Sequence, residues 1–515
     1  MSRKKLAAAI DVGSHEINMK IVELERNEAP RVIETVRRTL AIGTDTYNTG
    51  RISQSLIYAC SDVMSGLADK LHEYRINDCK TVATSAFREA SNQLFAIDQI
   101  DRACGLEIKV LSNSEERYYH MLAAAEMIPD FDQMIKHGTL ILDIGAGSVQ
   151  ASVYDKGEFI FTQNMLLGSL RIREILADLE RQAVDFGGLM AEYVSGDLEN
   201  YRMLEPKGTT YKNLIVLGGE NHYLNRMAGK DSGAYQILGR NDFDKLYDIL
   251  MLTKSDELAM ERGIAADHAP LLLPAAMIIK KFMNFTGVDK LHMPVTGMTE
   301  GLLLEQAYLG GRYKLKHDPE NDTISACRHL AKRFKTDRGH GQTVEKLALD
   351  LFRQTTRLHR LSSRYQTLIQ AAAILHDIGK YISMSRHTYK SYHVIMASEI
   401  IGISRVEQTI IALIARYHSG PVDLEDAALS ELEPQARLAA FKLIALFRLA
   451  NALDTGHLHK LDGLEVEIDD KELIITLDAG REITLERWNM EKNSDMFIQV
   501  YGLVPRIKLR RRRKV

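Results

Sequence analysis

One short segment of this chain occurs twice, and this repetition constrains the fold more than any other feature. The segment is an apolar run that ends in Asp, followed by a glycine-containing turn and a Ser, at Leu6–Ser14 and again at Leu140–Ser148. After each turn the chain resumes an extended pattern, at Ile17–Leu24 and at Val149–Tyr154. Each copy therefore predicts a strand, a tight turn and a second strand. One such unit is typical of any hairpin, but a repeat at domain scale predicts an internally duplicated α/β domain with its ligand between the halves.

The residue types at the two turns are suited to binding an anion. Glycines let backbone N–H groups converge on an anion without obstruction by a Cβ atom. The carboxylates of Asp11 and Asp143, each at a predicted strand end, can hold a metal ion or a metal-bound water. Two such turns facing one another predict a phosphate clamp.

Composition predicts a globular protein of several domains. Of the 515 residues, 45% are hydrophobic and 26% are charged, which is typical of soluble proteins, and about 100–200 residues per domain predicts three or four domains. The four cysteines lack metal-type spacing and are interpreted as reduced thiols. The chain has no signal-like segment and no apolar run of about 18 residues, so we predict a cytoplasmic protein without a membrane partner.

The chain ends in a basic tail. Its net charge is -3, yet seven of the last ten residues, Arg506–Val515, are Lys or Arg. Such a run is either a solvated tail or a surface that attracts polyanions. Nucleic acid is not an expected partner.

The secondary-structure pattern changes along the chain. Strands and helices alternate through the first 312 residues, which include an apolar helix at Leu271–Phe285 and a glycine turn at Met298–Gly301. Helical periodicity dominates from Ser325 to about Thr455. Three β-like runs follow, at Leu464–Ile468, Glu472–Leu477 and Phe497–Tyr501. We predict two α/β lobes at residues 1–125 and 126–312, an all-α domain at 318–457, and a small α+β domain with the basic tail at 458–515.

Two charged segments lie between the repeated turns. Arg88 follows the strand-like run that begins at Thr81, where its planar fork suits an oxyanion or a surface salt bridge. Glu115 and Glu116 follow the strand-like run Ile108–Leu111, at a predicted helix start. Carboxylates there either complement the helix dipole or supply a general base toward water.

Taken in order, these motifs resemble the exopolyphosphatase/guanosine pentaphosphate phosphohydrolase (Ppx/GppA) family of the actin-like ATPase superfamily. The resemblance covers about residues 6–312 and is carried by Asp11–Ser14, Thr84–Arg88, Glu115–Glu116, Asp143–Ser148, Leu167–Arg171 and Leu217–Gly219. It implies duplicated RNase H-like lobes and release of a terminal phosphate from inorganic polyphosphate, or of the 5′ γ-phosphate from guanosine pentaphosphate. It also implies a divalent metal, Mg or Mn, and a homodimer.

The resemblance implies roles for single residues. Glu116 falls on the water-activating base, with Glu115 as the fallback, and Arg88 takes a phosphate oxygen. The phosphate-binding positions fall on Asp11, Gly13, Ser14, Asp143, Gly145, Ala146, Gly147 and Ser148. The metal positions fall on Asp143 and Gln150.

The chain departs from the family pattern at both turns. Asn18 stands where an Arg is usual, Ala146 replaces a Gly, and Gln150 replaces a Glu associated with metal binding. Gln keeps an acceptor oxygen but loses the charge, so we expect a lower metal affinity or rate. Glu16 is a candidate to restore the charge from the opposite turn. The same departures leave open a regulator that binds polyphosphate or an alarmone without turnover.

The helical region contains a second candidate site. His376 and Asp377 are adjacent within a predicted apolar helix, His340 opens a helix upstream, and Asp454 follows the apolar helix Phe441–Ala452. A lone His of this kind is typical of a core, but the four residues resemble the HD phosphohydrolase metal set, whose ligand types suit Mn, Fe, Mg or Zn. The resemblance implies a second metal here, held by these four residues. His387, His393 and His418 lie nearby in sequence and are candidates to surround the ligands without binding the metal. Alternatively, this domain serves only to dock the others and extend a polyanion channel.

Two other functions remain open from the sequence. A sugar or acetate-type kinase of the same superfamily would use ATP as phosphoryl donor, although the helical domain has no evident role there. An HD-type nucleotidase or phosphodiesterase would confine its activity to residues 325–455.

Overall fold

The structure, a computed structural model, describes residues 5–180, 182–229 and 233–510, with Asp462 described by its backbone alone. The chain divides into two compact units, Met1–Pro319 (unit 1) and Glu320–Val515 (unit 2). The end of the predicted basic tail, residues 511–515, lies outside the described residues. Within the described ranges, none of the helices combines the length and apolar character needed to cross a membrane.

Unit 1 begins with a five-stranded mixed sheet in the order β3-β2-β1-β4-β5. Its strands are β1 (Lys5–Val12), β2 (Glu16–Leu24), β3 (Arg31–Thr39), β4 (Cys79–Ala83) and β5 (Ile108–Val110). The first three pair antiparallel, and β1-β4 and β4-β5 are parallel. The apolar residues of β1 are buried because this strand is central and covered on both faces.

Helices connect and cover this sheet. They are α1 (Ile42–Thr49), α2 (Gln54–Glu73), α3 (Ser85–Glu89), α4 (Gln93–Cys104), α5 (Asn113–Met127) and α6 (Phe131–Met134). The amphipathic helix α2 buries Ile57, Met64 and Leu71 in the core of this lobe.

The second sheet of unit 1 repeats the topology of the first. Its strands are β6 (Thr139–Ile144), β7 (Val149–Asp155), β8 (Glu158–Met165), β9 (Asn213–Leu217), β10 (Tyr235–Gly239) and β11 (Lys290–Pro294). The order β8-β7-β6-β9-β11 matches that of the first sheet, with β10 added antiparallel at the edge. The predicted duplicated α/β architecture is confirmed.

The helices of the second lobe are α7 (Ser169–Glu180), α8 (Phe186–Leu204), α9 (Asn221–Met227), α10 (Arg240–Leu252), α11 (Ser255–Arg262) and α12 (Ala269–Thr286). The last helix of unit 1, α13 (Met298–Leu309), returns to the first lobe and packs on its sheet and on α5. The predicted apolar helix Leu271–Phe285 is α12. The predicted turn at Met298–Gly301 is wrong, because these residues form the first turn of α13. Gly301 is needed there for close packing on α5, since a Cβ atom at Gly301 would lie 2.0 Å from the carbonyl oxygen of Tyr119.

Unit 2 combines helices with a small sheet around one hydrophobic core. Beginning at the unit boundary, the helices are α14 (Pro319–Arg333), α15 (Arg338–Gln354), α16 (Thr356–His359), α17 (Arg364–Leu375), α18 (His387–Met396), α19 (Arg405–Tyr417), α20 (Ala427–Ser430), α21 (Pro434–Ala452), α22 (Thr484–Lys492) and α23 (Asp495–Tyr501), with a 3₁₀ turn at Ile378–Tyr381. The strands β12 (Leu461–Asp469), β13 (Glu472–Ala479) and β14 (Val504–Leu509) pair in that order.

Two predictions in unit 2 are wrong. Phe497–Tyr501 is helical rather than extended, because a helix places the rings of Phe497 and Tyr501 in contact, with centroids 4.7 Å apart, and buries Phe497 fully. His376 and Asp377 do not lie within a helix. The helix α17 ends at Leu375, and the two residues form the link to the 3₁₀ turn.

Candidate active site

The two repeated turns have the same geometry. Gly13 N–H donates to Glu16 O at 3.0 Å, and Gly145 N–H donates to Ser148 O at 2.9 Å. In the strands that flank the turns, Asp11 lies opposite Asn18 and Asp143 lies opposite Gln150. Residues directly opposite in an antiparallel pair share one face of the sheet. The amides that depart from the family pattern therefore occupy equivalent positions in the two lobes, each beside an aspartate.

Both turns line one cleft in unit 1. It has a volume of about 310 Å³ and contains the carboxylates of Asp11, Glu116 and Asp143. The predicted phosphate-binding residues all line it, namely Asp11, Gly13, Ser14, Asp143, Gly145, Ala146, Gly147 and Ser148. The two strand-end aspartates thus face a common space, as an anion shared by the two turns requires.

Glu116 lies in the first turn of α5 and contributes to the cleft wall. Its side chain accepts a hydrogen bond from Arg88 Nη1 at 3.0 Å, and the same nitrogen donates to Leu111 O at 2.7 Å. Arg88 is not among the described residues that line the cleft. The contact that the structure gives Arg88 is with Glu116, and its predicted contact with a phosphate oxygen stays a prediction.

The neighbouring Glu115 has a different environment. Its Oε2 accepts from Ser112 N at 3.0 Å and from Ser112 Oγ at 2.9 Å, which completes a capping box at the start of α5. Its Oε1 accepts from Lys109 Nζ at 2.5 Å. Because both oxygens of Glu115 stabilise the helix start, the geometry favours Glu116 over Glu115 as the base.

His120 lies at the centre of the acidic groups and was not predicted from the sequence. It follows Glu116 by one helical turn on α5, and its Nδ1 contacts Asp143 Oδ2. Burial lowers the pKa of His120, but the carboxylates of Asp143, Glu116 and Asp11 outweigh burial and raise that pKa to about 9. His120 is therefore a cation at neutral pH. The sequence signal that could have identified His120 is its position four residues after Glu116 on a predicted helix, which places both side chains on one face.

Asp11 is the most perturbed carboxyl group of the cleft. Burial raises its pKa to about 7, the charge of His120 opposes that rise, and Glu116 and Glu16 add to it. Its Oδ1 atom is buried and has no hydrogen-bond partner among the described residues. The same holds for Asn18 Oδ1 and Gln150 Oε1. These three unpaired oxygens are acceptors of the kind that Mg²⁺ prefers.

Negative charge dominates the cleft. Its carboxylates are Asp11, Glu16, Glu116, Asp143, Glu220 and Glu300, and its Lys and Arg residues are Lys20 and Arg37. Lys20 is already paired with Glu300. Glu16 accepts from Asn18 Nδ2 at 2.8 Å and lies 3.7 Å from His268 Nε2. An anionic substrate therefore needs added positive charge in this cleft, which a divalent cation would supply.

A cluster of hydroxyl groups anchors the first turn. Ser14 Oγ lies 2.8 Å from Ser85 Oγ, and it accepts from Tyr47 Oη at 2.8 Å and from Ala86 N–H at 3.1 Å. These bonds hold Ser14 to α1 and α3. Its side chain therefore positions the turn, while the turn backbone lines the cleft.

Arg171 joins the two lobes beside the second turn. The Nε atom of Arg171 donates to Gly147 O at 2.6 Å, and its Nη2 contacts both oxygens of Glu89 at 2.7 Å. Its guanidinium lies 4.0 Å from the centre of the Tyr47 ring. Arg171 is on α7 of the second lobe, whereas Tyr47 and Glu89 belong to the first lobe, so one buried side chain fixes the two halves of the cleft.

In unit 2 the structure brings the four predicted metal residues together. His376 Nε2 lies 3.3 Å from His340 Nε2 and 3.4 Å from Asp377 Oδ2. Asp454 Oδ2 lies 2.9 Å from His340 Nδ1, and Asp454 Oδ1 accepts from His459 N–H at 3.0 Å. Asp454 thus orients His340 in this structure, and its role as a direct ligand stays a prediction.

The pKa values of two histidines and one aspartate in this cluster are shifted by their surroundings. Burial lowers the pKa of His376 to about 4 and that of His418 to about 3. Burial alone would raise the pKa of Asp377, but His376, His418 and Lys380 outweigh it and lower that pKa. Among the three nearby histidines, His387 and His418 face Asp377, whereas His393 packs against Tyr389 and Tyr392.

Two lobes of one topology whose repeated turns line a shared cleft define an actin-like, duplicated RNase H-like fold. Within that fold class, the chain belongs to the Ppx/GppA phosphatase family. The family model matches residues 21–308, and the model of the family's domain III matches residues 324–494. The chain is therefore a hydrolase of phosphoric anhydrides.

Individual relatives have low sequence identity to this chain, but the matches extend over most of each chain. The chain is 21% identical over 495 residues to the guanosine-5'-triphosphate,3'-diphosphate pyrophosphatase of Aeromonas hydrophila, covering 93% of this chain and 94% of that protein. Among solved structures it resembles the Ppx/GppA family member of Aquifex aeolicus, with a TM-score of 0.50, 20% identity, and coverage of 61% of this chain and 100% of that chain. An exopolyphosphatase of Cytophaga hutchinsonii gives a TM-score of 0.52, 20% identity, and coverage of 61% and 100%. At these identities the structural matches show the fold.

Proposed function

We propose that this chain releases the terminal phosphate of inorganic polyphosphate by metal-assisted attack of water. The observation that carries this proposal is the convergence of both repeated turns and Glu116 on one cleft. Phosphoryl transfer depends mainly on positioning and on neutralisation of charge. Backbone groups of the two turns can hold the terminal phosphoryl group from opposite sides, with Glu116 on the adjoining wall.

Glu116 is the proposed general base. A carboxylate serves in this role when it is held within reach of the attacking water, and the hydrogen bond from Arg88 fixes Glu116 at the cleft wall. Arg88 is then a positioning residue. His120, cationic and in contact with Asp143, reduces the repulsion that the carboxylates exert on an incoming phosphate.

Residues of the cleft, together with the buried Gln150 beside Asp143, fit a divalent metal such as Mg²⁺ or Mn²⁺. Asp11, Asn18, Asp143 and Gln150 would hold it through oxygen atoms, three of which have no other partner in the described part of the chain. When bound, the cation would neutralise charge on the substrate and the carboxylates. Because Gln150 lacks the charge of a glutamate, we expect weaker metal binding than in family members with Glu at this position.

Removal of divalent metal tests this assignment. We expect EDTA to abolish phosphate release from polyphosphate and added Mg²⁺ or Mn²⁺ to restore it, with a Glu16→Gln variant requiring more metal than the unchanged chain. The measurement is phosphate release by a malachite green assay across a metal titration. Release that persists in EDTA would contradict a metal-assisted reaction, and an unchanged metal requirement in Glu16→Gln would contradict the contribution of Glu16.

Glutamine substitutions at the two adjacent glutamates test the base. Glu116→Gln should reduce phosphate release by about 10²–10⁴-fold while polyphosphate binding is kept, since the turns and the metal residues are unaltered. Glu115→Gln is the matched control, because it alters the helix cap and the ion pair with Lys109 outside the cleft and should keep most activity. Equal activities of Glu116→Gln and Glu115→Gln would show that Glu116 is not the base.

Guanosine pentaphosphate is the second candidate substrate. The relative from Aeromonas hydrophila, which matches nearly the whole chain, carries the name of a pyrophosphatase acting on this nucleotide. The same cleft residues would serve for either substrate. Parallel assays of phosphate release from long-chain polyphosphate and from guanosine pentaphosphate decide between them. Saturable binding without release of phosphate from either one would identify a regulator.

The homodimer and the cytoplasmic location stay predictions.

A further inference from the structure

Two histidines from different lobes of unit 1 meet at one side of the cleft. His15 lies in the first repeated turn, between β1 and β2, and His268 directly precedes α12 of the second lobe. Their rings pack edge to face with centroids 4.9 Å apart, and both side chains line the cleft. Asp267, the neighbour of His268, completes a group in which each residue places one ligand atom within 4.8 Å of the other two.

Hydrogen bonding within the protein does not account for His15. Only 7% of this residue is exposed, and neither Nδ1 nor Nε2 has a hydrogen-bond partner among the described residues. An imidazole that loses contact with water at both nitrogens without gaining a partner destabilises the fold. Burial and the neighbouring His268 lower the pKa of His15 to about 4. The ring is therefore neutral at pH 7, and one of its nitrogens carries a lone pair.

His268 also has a buried nitrogen without a partner. This atom is Nδ1, for which the described part of the chain offers no hydrogen bond, whereas Nε2 lies 3.7 Å from Glu16 Oε2. A histidine that ligates a metal through one nitrogen usually donates its other N–H to a carboxylate, which orients the ring. Glu16 is placed for that supporting role, and the hydrogen bond from Asn18 Nδ2 to Oε1, at 2.8 Å, holds its carboxylate there. Nδ1 of His268 is then the free ligand atom.

The surroundings of the two histidines favour a positive charge. Burial lowers the pKa of His268, but Glu16, Glu220 and Asp267 outweigh burial and raise it. Burial raises the pKa of Asp267, but a hydrogen bond with Thr39 and the charges of the two histidines help to outweigh burial and lower it. Ionised carboxylates therefore surround imidazole nitrogens at this side of the cleft, and such a combination attracts a cation.

We propose that His15, Asp267 and His268 bind one divalent transition-metal ion that joins the two lobes at the wall of the cleft. Two imidazoles and one carboxylate suit Zn²⁺, Fe²⁺ or Mn²⁺, unlike the oxygen and amide donors around Asp143. Three protein ligands leave a further position for water or for an oxygen atom of a phosphate.

The ion has two consequences for the cleft. It fastens the lobes to each other, because one ligand comes from the first lobe and two come from the second. It also adds positive charge where carboxylates predominate. Binding of this ion does not depend on the hydrolysis of polyphosphate proposed above, so each can fail without the other.

Zinc-soaked crystals of the full chain test the location of the site. Anomalous diffraction at the zinc edge should show an ion about 2.0–2.2 Å from one nitrogen of each histidine and from a carboxylate oxygen of Asp267. The map separates this position from any zinc bound at Asp143 or in unit 2. Absence of a peak between His15 and His268 at saturating Zn²⁺ overturns the proposal.

Metal retention in variants tests whether these residues hold the ion. The full chain is loaded with Zn²⁺, desalted and analysed by plasma mass spectrometry. His15→Asn and Asp267→Asn should each retain one ion per chain fewer than the unchanged protein. Asp267 is half-buried, so its variant is expected to fold, and circular dichroism verifies this.

His222→Asn is the matched control, because His222 lines the same cleft but is exposed and lies outside the group of three ligands. It should retain as much Zn²⁺ as the unchanged chain. The proposal is overturned if His15→Asn or Asp267→Asn retains the full number of ions, or if His222→Asn also loses one.

Discussion

Gly147 shows how a single residue determines how closely the two walls of the cleft approach each other. A Cβ atom at Gly147 would lie 2.0 Å from Tyr47 Oη and 2.4 Å from Ser85 Oγ, so any side chain would push the second turn away from the hydroxyl cluster of the first lobe. The glycine is needed here for close approach of two lobes. Gly219, which also lines the cleft, has no atom within 4 Å of such a position.

A Gly147→Ala substitution should therefore lower both stability and phosphate release. Overpacking of a rigid contact costs about 1–3 kcal/mol, and the displaced turn no longer holds the phosphate. Adding Tyr47→Phe removes the nearer of the two hydroxyl groups and should restore part of the loss. Thermal unfolding and phosphate assays of the single and double variants measure this, with Gly219→Ala as the comparison for stability. A fully stable Gly147→Ala variant would contradict the packing argument.

At the scale of elements, two helices near the candidate sites begin with the same capping box. Ser112 and Glu115 cap α5, and Ser404 and Glu407 cap α19. Glu407 is also held by Arg364, through Nε at 2.7 Å and Nη2 at 3.0 Å. Burial raises the pKa of Glu407, but Arg364 and Ser404 outweigh burial and lower it below its ordinary value of 4.5.

The lowered pKa of Glu407 predicts an acid-dependent stability of unit 2. A carboxyl group whose folded pKa is lowered stabilises the fold fully above its unfolded value, and this contribution is lost as pH falls through the folded pKa. Glu407→Gln should cost about 1.5–3 kcal/mol at neutral pH, as expected for hydrogen bonds to a charged group, and should reduce the loss of stability below about pH 4.5. Urea unfolding at several pH values measures both effects. Glu425→Gln, an exposed carboxyl group, should change neither.

For the whole molecule, the two compact units predict two unfolding transitions. Arg171 belongs to unit 1, where its side chain, 9% exposed, joins Gly147, Glu89 and the Tyr47 ring. Its loss should therefore affect one transition and leave the other unchanged.

An Arg171→Ala variant tests this division. Removal of one partner of a fully buried ion pair costs about 3–5 kcal/mol, and the cost here should be smaller because the Glu89 side chain is 32% exposed. Calorimetry should show one of two transitions at a lower temperature, together with reduced phosphate release. Arg202→Ala removes an exposed pair with Glu199 and a contact 5.6 Å from the centre of the Phe285 ring, and it should shift neither transition by more than about 1 °C, since exposed pairs contribute little. A shift of both transitions in Arg171→Ala would show that the units unfold together.

Features encoded in contiguous residues could be predicted from the sequence. The repeated strand–turn–strand segments, the helix start near Glu116, the helix that carries His340 and the helix that precedes Asp454 follow from hairpin and helix periodicity, which neighbouring residues determine by themselves. The strand prediction at Phe497–Tyr501 was wrong because the side-chain pattern of this segment fits a strand as well as the buried side of a short helix.

Tertiary structure alone decided which side chains meet. In unit 1, Glu115 caps a helix, whereas Glu116 lines the cleft and accepts from Arg88. His120 contacts Asp143 in the same cleft. In unit 2, His387 and His418 face Asp377, but His393 does not. The residues in these contacts are up to several dozen positions apart, and residue type and spacing leave several partners open for each. Burial then fixes one partner, because an unpaired charge in the interior is too costly to keep.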